Sequence, residues 1–456
     1  MDRRSDVSDL ENSLNKQKER ILDLVEYYKK DIIDFAMELI KYKSVRGEEC
    51  RIQKELLYPF IKSELSPHYV EIYSEDKELN RPNIVALWKG DGKRSLLLNG
   101  HVDVVDVTES ELKRWNTDPW NPIIVDGKIF GRGAADMKGG ITSMLWALKI
   151  LQEAEIELKG PIGLELVVGE ELGEQEIGTI SATKKLLERT PKFDFCIDPE
   201  PTNCEIHTLS RGVFDFEIEV EGREIHSATR NLMLFPQRWG LPCGNEVGAD
   251  AISKIIDIIN ALRKLEIDFS LSQRHPILGG GGYPQFGDAQ GLGSALTINI
   301  SILQAGEYLA SVPGKAHLIG QCYYPPWISF EEVKKLIYEY INAQSITDSY
   351  LRKNPPKVYF ARRYHWPPYN TNPEHEGCKM LGRSFKDALK REPIYSGFKA
   401  VNDLTYVQQF GIPGVSFGPG DLYMGAHGPN EYVPVDQIIQ CTKTIALFIL
   451  YWCFKE

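Results

Sequence analysis

Three absences in the sequence exclude whole classes of protein. No run of about 18 apolar residues occurs, as a membrane-spanning helix would need. The eight cysteines are scattered and none belongs to a Cys-x-x-Cys pair, so a zinc–thiolate site is not expected. Positive charge is in deficit, because 53 Lys and Arg stand against 64 Asp and Glu, a net charge of −11. This balance argues against binding to nucleic acid or to an anionic membrane.

What remains is the composition of an ordinary globular protein. Hydrophobic residues make up 42% of the 456 positions, enough for a large core and for two or three domains. The N-terminal segment MDRRSDVSDLENSLNKQKER is polar throughout and lacks the apolar centre of a signal peptide. Since buried, reduced thiols are the expected state of scattered cysteines in such a chain, a cytoplasmic location is predicted.

Apolar runs of strand length alternate with amphipathic helices along most of the chain. This order predicts an α/β fold, a mixed sheet with helices on both faces, over 1–210 and 365–456. Helices are expected over about 10–40 and 50–65. The middle follows the order β-α-β-β-α-β, beginning with a period-2 strand at Gly212, which predicts an inserted ferredoxin-like α+β domain over 211–364. Within it, the glycine-rich segment 277–293 is expected to be a surface loop.

Histidine or acidic residues follow predicted strands at five places. These are His101, Asp136, the pair Glu170–Glu171, Glu200 and His427. If the strands are parallel, their carboxyl ends share one edge of the sheet, where open α/β sheets bind ligands. Two histidines and three carboxylates suit zinc, cobalt or manganese. Two metals sharing one carboxylate would use five ligands and leave a water for chemistry. For any one of these motifs alone, a solvated loop remains the alternative.

Six motifs in this order resemble the signatures of the M20 metallopeptidases. They are LLLNGHVDVV, FGRGAADMKGG, VVGEELGE, DPEPT, EGREIHSATR and AHGPNEYVPV. The resemblance runs from about residue 30 to the C-terminus and looks closest to the acetylornithine deacetylase and succinyl-diaminopimelate desuccinylase branch. It implies a two-zinc amidohydrolase with a zinc-exopeptidase-like catalytic domain. It also implies that 211–364 is a lid through which two copies form a homodimer.

The resemblance further implies a role for each residue at the motif positions. His101 and Glu200 would hold one zinc, Glu171 and His427 the other, and Asp136 would bridge them. Asp103 would orient His101, and Glu170 would be the general base that carries a proton from water to the leaving amine. His226, in the lid, would contact the substrate and stabilise the oxyanion.

Some positions depart from the family pattern. Gly169 stands where the first acid of an Asp-Glu-Glu run is usual, at a position that is neither ligand nor base. Tyr323 stands where many members have an arginine that binds a substrate carboxylate, which puts a carboxylate substrate in doubt. Arg211, Arg230 and Lys399 are alternative anion partners. The aromatic segment 231–251 is either a pocket for the acyl group or side chain of the substrate, or loop packing.

Several functions therefore remain open. The first is a deacylase of small N-acylated amino acids or related amines, resembling acetylornithine deacetylase. A dipeptidase or carboxypeptidase of the same family, a deformylase and a desuccinylase are alternatives. From a different class, a metal-binding protein without activity is disfavoured by the presence of Glu170, and a structural α/β protein would require five coincidences at strand ends.

Overall fold

The structure is a computed structural model that describes residues 3–234, 242–273 and 295–453. The chain divides into two compact units. The first comprises 1–209, 370–398 and 402–456, and the second comprises 210–369 and 399–401. The second unit is thus an insertion in the sequence of the first. The predicted loop 277–293 lies outside the described residues.

The elements are numbered in chain order within the described residues. The strands are β1 (Tyr69–Asp76), β2 (Arg81–Trp88), β3 (Leu96–His101), β4 (Ile123–Val125), β5 (Lys128–Phe130), β6 (Ile162–Val167), β7 (Phe195–Asp198), β8 (Ile206–Ser210), β9 (Gly212–Glu221), β10 (Ile225–His226), β11 (Thr297–Ala305), β12 (Ser311–Val312), β13 (Lys315–Tyr324), β14 (Lys357–Trp366), β15 (Tyr395–Phe398), β16 (Gly414–Ser416) and β17 (Tyr432–Pro434). The α-helices are α1 (Arg3–Tyr27), α2 (Lys29–Lys41), α3 (Tyr58–Glu64), α4 (Glu109–Leu112), α5 (Gly139–Glu153), α6 (Thr179–Leu187), α7 (Asn231–Leu234), α8 (Ala251–Ser272), α9 (Phe330–Thr347), α10 (Glu376–Leu389), α11 (Leu404–Gln408) and α12 (Val435–Cys453). Among these described helices, none is both long and apolar enough to cross a bilayer.

An eight-stranded mixed sheet forms the first unit, in the order β1-β2-β6-β3-β7-β16-β8-β15. Its centre, β6-β3-β7-β16, is parallel, whereas β2 and β8 run antiparallel to their central neighbours. Every residue of β3 and β6 is buried, which fits strands covered on both faces. Leu164 packs in the core with α5 and α12, whereas a side chain at the adjacent Gly163 would meet Leu186 of α6. The predicted α/β fold is confirmed.

The second unit contains a four-stranded antiparallel sheet in the order β11-β13-β9-β14, with α8 and α9 packed on it. This is the strand order of a ferredoxin-like unit. Both helices have N-terminal caps. Asp250 accepts from the main chain of α8, and Ser329 forms a capping box with Glu332 in α9. These caps explain why the helices begin where they do.

Three local predictions differ from the structure. The helix expected over 10–40 is two helices, because the backbone at Tyr28 leaves helical geometry (φ −87°, ψ 9°) between α1 and α2. The helix expected over 50–65 contains a π-helical turn, Ile52–Leu57, before α3. Strand β9 was expected to alternate, yet nearly all of it is buried. Its polar residues are covered because Asp215 and Glu217 both pair with Arg363.

A buried carboxyl group lies inside the central sheet. Glu165 of β6 is fully buried and accepts hydrogen bonds from Asn99 (2.8 Å) and Thr183 (3.2 Å). Burial raises the pKa of Glu165 to about 8, against the opposing effect of those two donors. Its folded-state pKa is therefore above its unfolded value of about 4.3.

We expect this group to make the protein less stable as pH rises. Between the two pKa values the folded chain holds a proton that the unfolded chain has lost, so the free energy of unfolding falls by up to about 1.4 kcal/mol per pH unit. Glu165→Gln should remove that slope and stabilise the protein most above pH 8. Denaturant unfolding from pH 5 to 9 measures this, with the exposed Glu188→Gln as control. Equal slopes in wild type and Glu165→Gln would contradict it.

Candidate metal centre

The predicted site residues of the first unit converge at the carboxyl edge of the parallel strands. His101 is the last residue of β3, Glu170 and Glu171 follow β6, and Glu200 follows β7. The parallel pairing of these strands brings their ends to one edge, as expected. His427 reaches the same place from a loop that begins after β16.

Asp136 arrives by a different route from the one expected. The strand before it, β5, belongs to a separate antiparallel sheet, β17-β5-β4, so Asp136 does not lie at the end of a strand of the main sheet. It lies in the turn Ala134–Lys138 that leads into α5, and the Asp136–Met137 peptide bond is cis. Gly133 opens this turn at φ +80°, where a side chain would meet Val104 at 2.6 Å. The glycines of the motif allow the turn, and the turn presents the carboxylate.

The two oxygens of Asp136 face different histidines. Oδ1 is 3.3 Å from His101 Nε2, and Oδ2 is 3.4 Å from His427 Nε2. Around this shared carboxylate, His427 Nε2 lies 2.8 Å from Glu171 Oε2, and His101 Nε2 lies 3.7 Å from Glu200 Oε1. The donors thus fall into two halves, one with each histidine, and Asp136 belongs to both.

Asp103 contacts His101 through its main chain more closely than through its carboxylate. The ring nitrogen His101 Nδ1 is 2.9 Å from the main-chain oxygen of Asp103 and 3.7 Å from its carboxylate. The carboxylate instead accepts the main-chain N–H of Glu171 at 3.2 Å. The carbonyl therefore fixes the ring, because a proton on Nδ1 leaves the lone pair of Nε2 free to bind a metal. The side chain fixes the segment that carries Glu171.

The electrostatics of the site favour a bound cation. Burial raises the pKa of Glu170 and Glu200 well above the ordinary value and that of Glu171 to about 7, and neighbouring carboxylates add to each effect. The hydrogen bonds that His427 donates to Asp136 and to Glu171 raise the pKa of its ring to about 11. Carboxylates crowded in a buried site repel one another, and a cation would relieve that repulsion.

The donor set fits a metal ion on geometry as well. Ligand atoms of His101, Asp136 and Glu171 all lie within 4.8 Å of one another. His101 Nε2 is buried and faces three carboxylates, the nearest of them Asp136 at 3.3 Å. A buried nitrogen surrounded by carboxylates is well placed to share a cation with them. Mixed imidazole and carboxylate donors suit zinc, cobalt or manganese.

The remaining predicted residues lie elsewhere or have another environment. Glu170 stands at the rim of the cluster with a side chain 11% exposed, and its Oε2 is 4.0 Å from His101 Nε2. His226 belongs to the second unit, where it is exposed at the end of β10. Two buried residues, Arg132 and Glu431, form an ion pair, and Glu431 also accepts the main-chain N–H of Asp136. Both stand inside motifs named above, but no role was predicted for them.

Comparison with known proteins identifies the family. Residues 97–451 match the model of peptidase family M20/M25/M40. The chain belongs to this family. Its members among the relatives hydrolyse amide bonds, and this chain is likewise an M20 hydrolase that acts on amide C–N bonds. The predicted family and reaction class are confirmed.

Three similar proteins are compared by their identity to this chain and by the share of each chain that is covered. An N-formyl-4-amino-5-aminomethyl-2-methylpyrimidine deformylase of Bacillus subtilis (strain 168) is 32% identical over 95% of this chain and 97% of its own. Acetylornithine deacetylase of Myxococcus xanthus is 27% identical over 84% and 87%. The structure of the YXEP protein of Bacillus subtilis, described as a dinuclear metal binding peptidase of family M20, covers 94% of this chain and 100% of its own, with a TM-score of 0.60 at 13% identity. Of the two enzymes compared by sequence, the deformylase is the more similar.

Proposed function

We propose that this protein is a two-metal deacylase that removes a formyl or other short acyl group from a small amine without a carboxylate. The observation that carries the proposal is a set of carboxylates and two histidines, buried His101 and half-exposed His427, which Asp136 divides into two halves, with Glu170 beside it. The similarity to a pyrimidine deformylase supports the substrate class.

The residues would hold two zinc ions as the motif resemblance implies. His101 and Glu200 would hold one ion, Glu171 and His427 the other, and Asp136 both. Bound ions of this kind supply a Lewis acid that polarises an amide carbonyl and lowers the pKa of water. Cobalt or manganese would suit the same donors.

Glu170 is proposed as the proton carrier. It lies next to the cluster without being one of the five donors, and its side chain is 11% exposed. Burial raises the pKa of its carboxyl group well above the ordinary value. A carboxyl group with a raised pKa can take a proton from the attacking water and deliver it to the leaving nitrogen. The adjacent Glu171 then remains free to be a ligand.

His226 is proposed to stabilise the oxyanion. Its Nδ1 accepts a hydrogen bond from the main-chain N–H of Ala228 at 3.1 Å, so the neutral ring carries its proton on Nε2. An exposed imidazole with an N–H to donate is suited to bind developing negative charge.

We expect His226→Ala to lower kcat by about 10²–10³-fold with unchanged metal content, the usual effect of a lost oxyanion donor. His226→Gln, which keeps an N–H donor, should retain more activity than His226→Ala. Steady-state kinetics with elemental analysis measures both. Wild-type turnover in His226→Ala would remove this residue from the mechanism.

The second unit supports a substrate without a carboxylate. Tyr323 stands where the family pattern has an arginine, and the guanidinium of Arg211 lies 5.0 Å from the centre of its ring. Arg211 already donates to the main-chain oxygen of Lys399 at 2.6 and 3.0 Å, and Arg230 pairs with Asp250 at 2.7 Å. The two arginines considered as substitutes are therefore bound to protein groups. An aromatic side chain at 323 suits contact with a planar ring of a substrate better than recognition of a carboxylate.

A substrate panel tests the proposal. The zinc-loaded protein is assayed with N-formyl-4-amino-5-aminomethyl-2-methylpyrimidine, its N-acetyl analogue, N-acetylornithine, N-succinyl-diaminopimelate and simple dipeptides. We expect the formyl compound to exceed N-acetylornithine in kcat/KM by at least about 10-fold, as expected for a site without a carboxylate-binding arginine. Preference for N-acetylornithine would support the deacetylase alternative, and cleavage of dipeptides alone would support a peptidase.

We also propose that the protein is a cytoplasmic homodimer assembled through 211–364. The family resemblance supports the dimer, and free cysteines, six of them buried, support a reducing compartment. Sedimentation velocity of the full chain and of a variant altered in the exposed residues of β11 tests the dimer. A monomer in both would contradict it.

A further inference from the structure

The carboxylate of Glu431 is one of the most buried charges of the first unit, with 1% of the residue exposed. Each of its two oxygens accepts two hydrogen bonds. Oε1 accepts the main-chain N–H groups of Ala135 (2.9 Å) and Asp136 (3.2 Å). Oε2 accepts the N–H of Gly133 (3.0 Å) and Nη1 of Arg132 (2.8 Å). Four donors on one buried carboxylate form an anion-binding turn around it.

This turn is the one that presents Asp136 to the cluster. The N–H groups of Gly133, Ala135 and Asp136 all point at Glu431, so the carboxylate satisfies donors that the start of a helix leaves without a main-chain acceptor. The main chain adds one further hydrogen bond, from the N–H of Gly131 to the carbonyl of Glu431 at 3.0 Å. The position of the Asp136 side chain therefore depends on Glu431.

Glu431 also closes the loop that carries His427. Arg132, which pairs with Glu431, donates through the same Nη1 to the carbonyl of Gly428 at 3.2 Å. A side chain at Gly425 would meet the main chain of Glu431 at 2.9 Å, so the loop folds tightly back on this residue. The buried ion pair of Arg132 with Glu431 thus joins the turn of Asp136 to the loop of His427. The side chains of Asp136 and His427 approach each other to 3.4 Å.

We propose that Glu431 is a positioning residue that fixes Asp136 relative to His427 and thereby sets the affinity of the metal centre. This inference rests on the proposed function, because it assumes that the cluster binds metal. Glu431 touches no substrate and is not one of the five donors. It acts on Asp136 through hydrogen bonds to the main chain of its turn. It acts on the loop of His427 through Arg132.

A matched control exists on the other side of the same arginine. Glu111 is also a buried partner of Arg132 and accepts from Trp115 Nε1 at 3.3 Å. Among its described hydrogen bonds, none goes to Gly133, Ala135 or Asp136. Glu111→Gln therefore removes a buried carboxylate from Arg132 without touching the turn, whereas Glu431→Gln places an NH₂ group against N–H donors.

The test is cobalt binding to the metal-free full-length protein, followed by titration calorimetry and by the visible absorption of the bound cobalt. We expect Glu431→Gln to weaken cobalt binding by about 10–100-fold and to change the absorption bands, with Glu111→Gln close to wild type. Glu431→Asp, which keeps the charge but has a shorter reach, should weaken binding in the same direction and carries the test if the Gln variant does not fold.

Three results would overturn the inference. They are wild-type cobalt affinity and spectrum in folded Glu431→Gln, equal weakening in Glu111→Gln, or failure of both Glu431 variants to fold even with metal. The last would make Glu431 a purely structural residue. Absence of cobalt binding in the wild type would instead contradict the proposed function itself, so the two failures are distinguishable.

Discussion

Glu170→Ala is expected to lower kcat by about 10²–10⁴-fold, the range usual for a lost general base, while the protein keeps its metal and its fold. The expectation follows from position. Glu170 is adjacent to Glu171, a proposed ligand, but its own Oε2 lies 4.0 Å from His101 Nε2, and burial raises the pKa of its carboxyl group. Removing it would take away the proposed proton carrier and leave the five proposed donors intact.

The measurement combines steady-state kinetics on the best amide of the panel with metal analysis of the same samples. Glu170→Gln is the matched variant, because it keeps the size of the side chain and cannot carry a proton. It should be as inactive as Glu170→Ala. Loss of metal in either variant would show that Glu170, not Glu171, is the ligand, and near-wild-type turnover would remove Glu170 from the reaction.

Asp136→Asn is expected to have the second large effect, at least about 100-fold weaker metal binding and activity below detection, since a lost ligand costs more than a lost outer contact. Asp136 has one oxygen 3.3 Å from His101 Nε2 and the other 3.4 Å from His427 Nε2, so we expect both halves of the centre to lose a donor together. An amide also carries no charge to balance the ions.

The control for this variant is Asp194→Asn. Asp194 lies just before β7, at the opposite end of the strand from Glu200, and accepts the N–H of Ser95 at 2.9 Å. Metal titration of both variants separates a ligand from an ordinary carboxylate. Binding of the full metal complement by Asp136→Asn at wild-type affinity would contradict the bridging role.

The sequence predicts the centre of the fold well because buried parallel strands are continuous apolar runs. The end of β3 at His101 and the positions of Glu171 and Glu200 after β6 and β7 follow from that pattern alone. The inserted β-α-β-β-α-β order can likewise be predicted from the pattern of apolar residues. Polar residues directly after such runs must lie at a sheet edge, which made them candidates for a site.

Other features depend on contacts that no local pattern encodes. The placement of Asp136 in a turn outside the main sheet depends on Glu431, 295 residues away along the chain. Main-chain groups are likewise invisible in a sequence, so the carbonyl of Asp103 could not be distinguished from its carboxylate as the partner of His101. The break at Tyr28 interrupts a pattern that is amphipathic on both sides.

The choice of substrate is the hardest property to predict from the sequence, since it depends on the shape of a site and on groups that are not donors to the metal. Here the departure at Tyr323 was informative because the expected residue, an arginine, has a definite partner in a substrate carboxylate. Its absence argues against that mode of binding and supports the proposal of a substrate without a carboxylate.

The most direct test of the central claim is amide hydrolysis by the wild-type protein before and after complete removal of metal, with metal then added back and counted. We predict no turnover in the metal-free protein, recovery on addition of zinc or cobalt, and full activity at two ions per chain. Undiminished hydrolysis by protein shown to be free of metal would contradict the assignment of His101, Asp136, Glu171, Glu200 and His427 as a hydrolytic metal centre.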